Sequence, residues 1–442
     1  MAEAKTDPTS LTGRTYDRLV GNKDGERVST DITEEAFRSV PANFLRLLAA
    51  TVSTKTGDAL SKPGVILTWM LGSLGAPSFL IGLIVPIREA GSLVLQIFIG
   101  QFVTRFSIRK GFWILGSLLQ GLAILGMIPV ALYLDNAAAG WAVVGLITIF
   151  SLARGICSVV SKDLVGRTIP KTRRGRLSGI AASVSGFVAI GVGLWLMFAK
   201  SESVAPRVFA FILTAAGLLW LLASALMSFL DEKPAASKEG KNPFREMISS
   251  LGLLKRDRDF RLFCIVRALL ASTVLSMPFY VILARQATDG SSNSLGLLLI
   301  AGSVATAMSG AVWGKLADRS SRKTLSTAGI AAGAIGILTV AVATFQPSGM
   351  TALILFGILF FLIGLAHTGI RLGRKTYLVD LADADNRASM VAVSNTLIGI
   401  VLLASGSFGL LAEAFDERAV ILAFALPGLI GGILALRLRE VQ

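Results

Sequence analysis

Long apolar segments are the feature of this sequence that most limits its fold. An α-helix needs about 20 mostly apolar residues to cross the hydrocarbon layer of a membrane. Twelve segments of this kind follow one another along the 442 residues, at 44–71, 77–103, 111–134, 140–162, 176–199, 207–230, 260–284, 294–314, 324–345, 350–372, 388–412 and 418–436. We therefore predict an all-α membrane protein with twelve transmembrane helices, and we exclude a soluble multidomain enzyme.

The first two spans are the least regular part of this pattern. Hydropathy alone would take Gly64 to Val85 as one crossing, with Lys55 to Lys62 outside it. That division leaves Ala90 to Val103 as a separate apolar segment, which is too short to cross the membrane alone. The sequence SKPGVIL at Ser61 to Leu67 is similar to SMPFYVIL at Ser276 to Leu283, which lies within the seventh predicted span. This similarity favours a first helix that runs through Lys55.

The two halves of the chain are similar to each other. The text GQFVTRFSIRK from Gly100 matches GKLADRSSRK from Gly314, and the loop with Arg174 matches the loop with Arg387, at an offset of about 213 residues. We predict two pseudo-symmetric six-helix bundles. The expected divisions are a cytoplasmic tail at 1–43, partly helical over 33–40, an N-terminal bundle at 44–230, a cytoplasmic central loop at 231–259, and a C-terminal bundle with a short cytoplasmic tail at 260–442.

Positive charge is concentrated in the loops of one side. The formal net charge is +15, from 43 Lys and Arg against 28 Asp and Glu, yet the predicted outer loops hold only Lys200, Arg207, Arg285 and Arg418. Such a bias places both termini in the cytoplasm of a multi-pass protein of the cell membrane. It also explains the net positive charge without a nucleic acid partner. We expect the protein to be a monomer surrounded by the lipid bilayer.

Signatures of enzymes and of cofactor sites are lacking in the sequence. A single histidine and two distant cysteines, Cys157 and Cys264, argue against a zinc site and against a disulfide framework. No glycine-rich loop is followed by Lys-Ser or Lys-Thr, so ATP is not indicated as the energy source. We predict no enzymatic activity, no cofactor and no metal.

Several charged residues fall within the predicted helices. On an ideal helix Lys55, Asp58 and Lys62 share one face of the first span, and Arg88, Ser92 and Gln96 form a stripe on the second with Glu89 beside it. Arg154 and Arg267 lie in the fourth and seventh spans. The third, sixth, ninth and twelfth spans contain no charge apart from Arg207 and Arg418 at their outer ends. We expect these charges to face a wet cavity, because charges that face acyl chains are costly.

The loop after the eighth span carries a recognisable motif. Gly314-Lys315-Leu316-Ala317-Asp318-Arg319-Ser320-Ser321-Arg322-Lys323 resembles the pattern G-[RK]-x-[AG]-D-R-x-G-R-[RK] of the major facilitator superfamily, with Ser321 in place of glycine. This resemblance covers about 40–440 of the chain. It implies a secondary transporter, or permease, with alternating access, in which Gly314, Asp318, Arg319, Arg322 and Lys323 steady one conformation.

Other positions depart from the patterns of that family. Thr104 stands where the N-terminal copy of the motif has Asp, and Ile108 stands near the expected Arg. Arg154 occupies a position similar to an arginine that is associated with proton coupling in drug antiporters, but Cys157 and Ser158 replace the Gln and Gly. Helix five also lacks the glycine-proline signature of those antiporters, which reduces the weight of drug export.

Two uses of the intramembrane charges remain open. In the functional one, Lys55, Lys62, Arg88, Arg154 and Gln96 bind a small anionic organic solute, and Asp58 or Glu89 carries the coupling proton down a proton gradient. In the structural one, Asp58 and Glu89 are permanently paired and only hold helices together. The alternatives in function are proton-driven efflux of amphiphilic compounds and a non-transporting protein that assembles or loads a membrane complex.

The tenth span adds charged groups near its inner end. His367 aligns with Arg154 in the internal repeat and suits a proton sensor or a structural residue. Arg371 and Arg374 suit salt bridges of an inner gate or plain interfacial anchors.

Overall fold

The computed structural model describes residues 11–20, 39–94, 96–199, 202–234, 252–383 and 386–441. These residues form helices joined by short turns, and they contain no strand. Ten of the helices in this part of the chain are long and apolar enough to cross a membrane. The predicted fold class, an all-α membrane protein, is confirmed.

The first half of the chain forms the first six spans, and a short helix, Leu11–Val20, precedes them. The first and second spans are each divided into shorter segments. The helical segments of the six spans are, in order, Val40–Leu60 with Pro63–Leu67 and Thr68–Ser73, Ser78–Val94 with Gln96–Val103, Lys110–Leu125 with Met127–Tyr133, Asn136–Thr168, Lys171–Ala199 and Pro206–Ser228.

The second half repeats this arrangement. Its spans run, in order, over Arg258–Leu270 with Ser272–Ala287, Ser292–Arg319, Ser321–Thr344, Gly349–Leu381, Arg387–Ser405 with Gly406–Phe408 and Gly409–Ala414, and Glu417–Ala435. Several helices continue past their apolar parts, because hydropathy marks only the section that lies in lipid. The fourth and tenth spans, for example, are each 33 residues long.

The first span is not the continuous helix that the sequence predicts. Its α-helix ends at Leu60, and Lys62 adopts φ −56° and ψ 114° before a π-helical turn that starts at Pro63. The residue before a proline is pushed out of the helical region by the proline ring, which explains the break. Lys62 therefore does not share the helical face of Lys55 and Asp58.

The two halves meet on the side of the molecule away from the chain termini, which we call the opposite side. Here the Ser78 hydroxyl donates to Glu417 Oε1 at 3.0 Å. The fifth and eighth spans also touch here, since a Cβ added at Gly296 would lie 2.4 Å from the carbonyl oxygen of Gly193. Only paired glycines allow two helix backbones to approach so closely.

Contact is lost toward the other end, which we call the terminal side. Added Cβ atoms at Gly175 and Gly179 of the fifth span, and at Gly310 and Gly314 of the eighth, would meet nothing within 4 Å. The fifth and eighth spans therefore diverge from the opposite side toward the terminal side. A space between the halves is closed at one end and widens toward the other.

The predicted division into domains remains a prediction. Most of the central loop, 235–251, and of the N-terminal tail, including the helix expected over 33–40, lies outside the described residues. On the terminal side, Ser39 at the start of the first span bonds through its hydroxyl to the carboxylate of Asp231, just after the sixth. This bond joins the two ends of the first six spans.

Candidate functional site

Asp58 is the centre of an ion-pair cluster that joins the first, second and fourth spans. Its Oδ1 accepts from Nη2 of Arg88 at 2.9 Å, and Nη1 of Arg154 donates to both of its oxygens at 2.7 Å. Arg88 also donates from Nη1 to Glu89 Oε1 at 2.6 Å. Two carboxylates thus balance two guanidinium groups, and we call Asp58, Arg88, Glu89 and Arg154 the paired cluster.

Close packing of the second and fourth spans holds this cluster in place. The Ser151 hydroxyl lies 2.8 Å from the carbonyl oxygens of both Ile87 and Arg88. A Cβ at Gly91 would come within 2.4 Å of the same hydroxyl, so only glycine permits this approach. The guanidinium carbon of Arg88 lies 5.9 Å from the centre of the Phe150 ring, within the range of a cation–π contact.

The two lysines of the first span lie apart from each other. Lys55 donates from Nζ to the carbonyl oxygen of Ser178 on the fifth span at 3.0 Å. The Nζ of Lys62 points to the eighth span, and only 3.2 Å separates it from where a Cβ of Gly302 would stand. Arg371 is close enough to act electrostatically on both lysines.

Gln96 belongs to a hydrogen-bonded chain that crosses between the halves. Its Oε1 accepts from Nδ2 of Asn395 at 3.0 Å, and Oδ1 of Asn395 accepts from Nη2 of Arg267 at 2.8 Å. Arg267 also donates from Nη1 to the hydroxyl of Ser394. Its two partners are neutral, so they orient the guanidinium group and leave its charge uncompensated.

A cavity of about 130 Å³ lies between the second, seventh, ninth, tenth and eleventh spans. Its lining contains both charged and apolar side chains. The charged or titratable lining residues are Glu89, Arg267, His367, Arg371 and Arg374. The apolar ones are Leu93, Phe263, Val266, Leu270, Ala271, Val274, Leu325, Ile370, Ile398 and Leu402.

The arginines of the tenth span are functional candidates whose place the sequence did not reveal. We expected Arg371 and Arg374 at a gate or at the membrane surface, but they lie on the cavity wall with His367. Their spacing was a usable signal, because positions i, i+4 and i+7 share one face of a helix. The charged residues that follow them in the sequence made both arginines resemble groups at the membrane surface.

Four cations at or beside the cavity have no carboxylate partner within ion-pair distance in the described part of the chain: Lys62, Arg267, Arg371 and Arg374. We call these the unpaired cations. Glu89 acts electrostatically on Arg374, but it is paired with Arg88. The region therefore holds a surplus of positive charge, whereas the paired cluster is balanced.

The predicted motif loop lies at the terminal side, and none of its ten residues lines the cavity. Arg322 pairs with Glu440, with 3.2 Å between Nη2 and Oε2, and the Ser320 hydroxyl donates to the same carboxylate at 2.8 Å. Lys323 starts the ninth span, where its backbone N–H donates to the Ser320 hydroxyl at 3.1 Å.

The other motif residues are not engaged in this way. Asp318 and Arg319 are exposed, and neither has an ion-pair partner within the described residues. Gly314 faces the space between the fifth and eighth spans. The role of this loop in steadying one conformation remains a prediction.

A second network on the terminal side was missed by the sequence reasoning. The side chain of Glu232 is only 1% exposed and accepts from the backbone N–H groups of Arg109 and Lys110 and from Arg167. Arg109 and Arg167 also pair with Asp163. Glu232 lies just after the sixth span, as Glu440 lies after the twelfth, so the internal repeat was the signal that could have found it.

Groups suited to metal or thiol chemistry are not assembled anywhere in the described ranges. No three His, Cys, Asp or Glu side chains among these residues stand close enough to hold a metal ion. Cys157 and Cys264 are buried free thiols.

Comparison with known proteins agrees with this architecture. The model of the Major Facilitator Superfamily matches residues 47–288 and 272–442. An uncharacterized MFS-type transporter of Methanocaldococcus jannaschii is 26% identical over 347 residues, which cover 76% of this chain and 80% of the relative.

Solved structures of transporters share the fold at low sequence identity. The nucleoside transporter NupG has a TM-score of 0.67 at 12% identity, over 89% of this chain and 98% of that one. A D-xylose-proton symporter has a TM-score of 0.67 at 14% identity, over 90% and 98%. A POT family transporter in complex with 5-aminolevulinic acid has a TM-score of 0.67 at 14% identity, over 90% and 96%.

The predicted family and the predicted absence of enzymatic activity are confirmed. The family model matches both halves of the chain. The chain is a multi-pass membrane transporter. It belongs to the Major Facilitator Superfamily.

Proposed function

We propose that this protein is a secondary active transporter that moves a small organic anion across the cell membrane by alternating access, with a proton as the coupling ion. The observation that carries the proposal is the surplus of positive charge formed by Lys62, Arg267, Arg371 and Arg374. Charged side chains within a membrane protein mark solute and ion pathways. A cavity lined by one sign of charge concentrates solutes of the other sign.

The size of the cavity favours a small solute. Its volume of about 130 Å³ is below the range of about 300–1,000 Å³ that is typical of pockets for drug-sized ligands. Efflux of bulky amphiphilic compounds is therefore less well supported. The apolar lining residues, which include Leu270 and Ile398, suit a carbon skeleton beside the charged group.

Glu89 is the better placed of the two candidate proton carriers. It lines the cavity, its side chain is 37% exposed, and it has one ion-pair partner. Asp58 is 23% exposed and is bound by both Arg88 and Arg154, so protonation there must break two charged contacts. Protonation of Glu89 breaks only its contact with Arg88, which stays paired with Asp58.

The shape of the molecule supports one step of the transport cycle. The halves touch at the opposite side through Gly193 and Gly296 and separate toward the terminal side. With both termini in the cytoplasm, as the distribution of Lys and Arg indicates, this arrangement faces inward. The outward-facing step then requires the terminal side to close.

Transport by purified protein in liposomes tests the proposal. The full chain is reconstituted, a pH gradient is imposed, and the uptake of labelled organic anions is measured beside neutral and cationic solutes. We expect accumulation of an anion that collapses with a protonophore. A parallel sodium gradient identifies the coupling ion.

The variant Glu89→Gln separates coupling from binding. It should lose accumulation driven by the pH gradient and keep exchange of labelled for unlabelled solute, because exchange moves no net proton. Glu202→Gln, at an exposed position, is the matched control and should keep both. Equal loss of both activities in Glu89→Gln would contradict its role as the proton carrier.

The test also decides between classes of function. Transport of neutral or cationic solutes alone would overturn the proposal of an anion. Failure of every solute to accumulate or to move protons would favour a protein that assembles or loads a membrane complex.

A further inference from the structure

We infer that the solute carries at least two negative charges on a small carbon skeleton and is held at two places along the tenth span. This inference rests on the proposed function and deepens it by naming the class of anion. Its basis is the number and the spacing of the unpaired cations, Lys62, Arg267, Arg371 and Arg374.

The need for more than one negative charge follows from closure of the cavity. In the present conformation Arg371 is exposed to the cavity, where water can solvate its charge. Alternating access requires the protein to close around the solute, which removes that water. Cations that lose water without a counter-charge are strongly destabilising. A solute with one negative charge would leave three of the four cations uncompensated.

His367 and two of the cations form a row along one face of the tenth span, with another cation near each end. His367, Arg371 and Arg374 are at positions i, i+4 and i+7, so about 6 Å and then about 4.5 Å separate them along the axis. At one end Lys62 acts electrostatically on His367, and at the other end Arg374 acts on Arg267. Arg371 lies between the two ends and acts on Lys62, His367 and Arg374.

Groups at both ends of the row support a bound ligand. The Nδ1 atom of His367 is buried and has no partner within the described residues, and Arg267 is bonded there only to the neutral side chains of Ser394 and Asn395. Buried polar atoms without a partner are uncommon and call for a specific explanation. An anionic group at each place would supply acceptors for nearby donors.

The part of the solute between its charges faces hydrocarbon. Leu270 and Val274 of the seventh span and Ile398 of the eleventh line the same cavity. Small dicarboxylates satisfy these conditions, because they place one negative charge at each end of a short skeleton. A phosphate monoester carries both charges on one phosphoryl group, so it can occupy only one of the two places. The class of solute is thus a compact dicarboxylate dianion.

Binding and transport of matched solutes test the inference. Succinate, butyrate and butyramide share a four-carbon skeleton and differ in charge, and glycerol 3-phosphate with glycerol forms a second series. The thermal midpoint of the purified full chain is measured with each solute, and uptake is measured in liposomes. We expect a member of the dianion class to raise the midpoint and to be transported, whereas its matched monoanion or neutral form has at least a tenfold weaker effect.

Arginine variants locate the two charges. Arg371→Gln and Arg374→Gln should each weaken binding of the dianion by about ten- to hundredfold, because each removes a charged hydrogen-bonding partner. Each should discriminate less between the dianion and its monoanion. Arg207→Gln, exposed on the opposite side, is the matched control and should bind both as the parent chain does.

The outcomes separate the two proposals. If monoanions bind and are transported as well as dianions, the inference is wrong and transport of an organic anion stands. If only neutral solutes are transported, or if no solute in either series raises the midpoint or is taken up, both are overturned. A stronger response to succinate than to glycerol 3-phosphate would agree with one charge at each place, and the reverse order would contradict it.

Discussion

The two halves of this transporter share a fold and an internal repeat but treat charge differently at the centre. In the N-terminal half, Asp58 and Glu89 are paired with Arg88 and Arg154. In the C-terminal half, Arg267, Arg371 and Arg374 have no carboxylate partner among the described residues. Under the proposed function, the paired charges of the first half serve stability and coupling, and the unpaired charges, which lie in the second half apart from Lys62, serve binding.

The largest expected effect on stability comes from breaking the paired cluster. Asp58→Ala leaves Arg88 and Arg154 without their shared partner, and removal of one member of a buried ion pair typically costs about 3–5 kcal/mol. Because Asp58 is 23% exposed, we expect the lower end of that range. The thermal midpoint and the fraction of monodisperse protein measure the loss.

A double variant refines that result. Asp58→Ala combined with Arg154→Ala should lose less stability than the sum of the single variants, since one of the orphaned charges is gone. Additive losses would contradict a direct pairing of Asp58 with Arg154.

A smaller effect on stability should distinguish the two halves at their terminal side. Glu232 is buried and bonds to three residues, whereas Glu440 is 33% exposed in its ion pair. Glu232→Gln should cost about 1–3 kcal/mol, because buried donors lose a charged acceptor. Glu440→Gln should cost about 0–1 kcal/mol, as for exposed pairs. Chemical denaturation of both variants checks the order, and equal costs would contradict it.

The smallest effect on stability is expected for the C-terminal arginines. Arg371→Gln removes a cation that faces other cations, so the stability of the solute-free protein should change by only about 0.5 kcal/mol, as at other sites without a structural partner. Transport should nevertheless be lost. A large fall in the thermal midpoint would mean that Arg371 has a structural role and would weaken the contrast between the halves.

The sequence predicted the fold because lipid imposes a strong and local constraint. The apolar segments, the repeat and the Gly314 motif located the spans and the family, and the expectation that intramembrane charges face one another brought Asp58 together with Arg88 and Arg154. It could not show that Lys62 leaves the helix at Pro63 and turns to the eighth span. Nor could it show that Arg371 and Arg374 reach the cavity, since that depends on how the tenth span is rotated against its neighbours.

The glycines of the fifth and eighth spans have a consequence for movement. The two helices touch at Gly193 and Gly296, and they run antiparallel from that point. Gly179 and Gly310 are equally distant from it along their helices, and so are Gly175 and Gly314. A rocking motion that closes the terminal side would bring these pairs face to face, and glycine has no side chain to hold the two helices apart. The fifth and eighth spans would then form the contact between the bundles whichever side is closed.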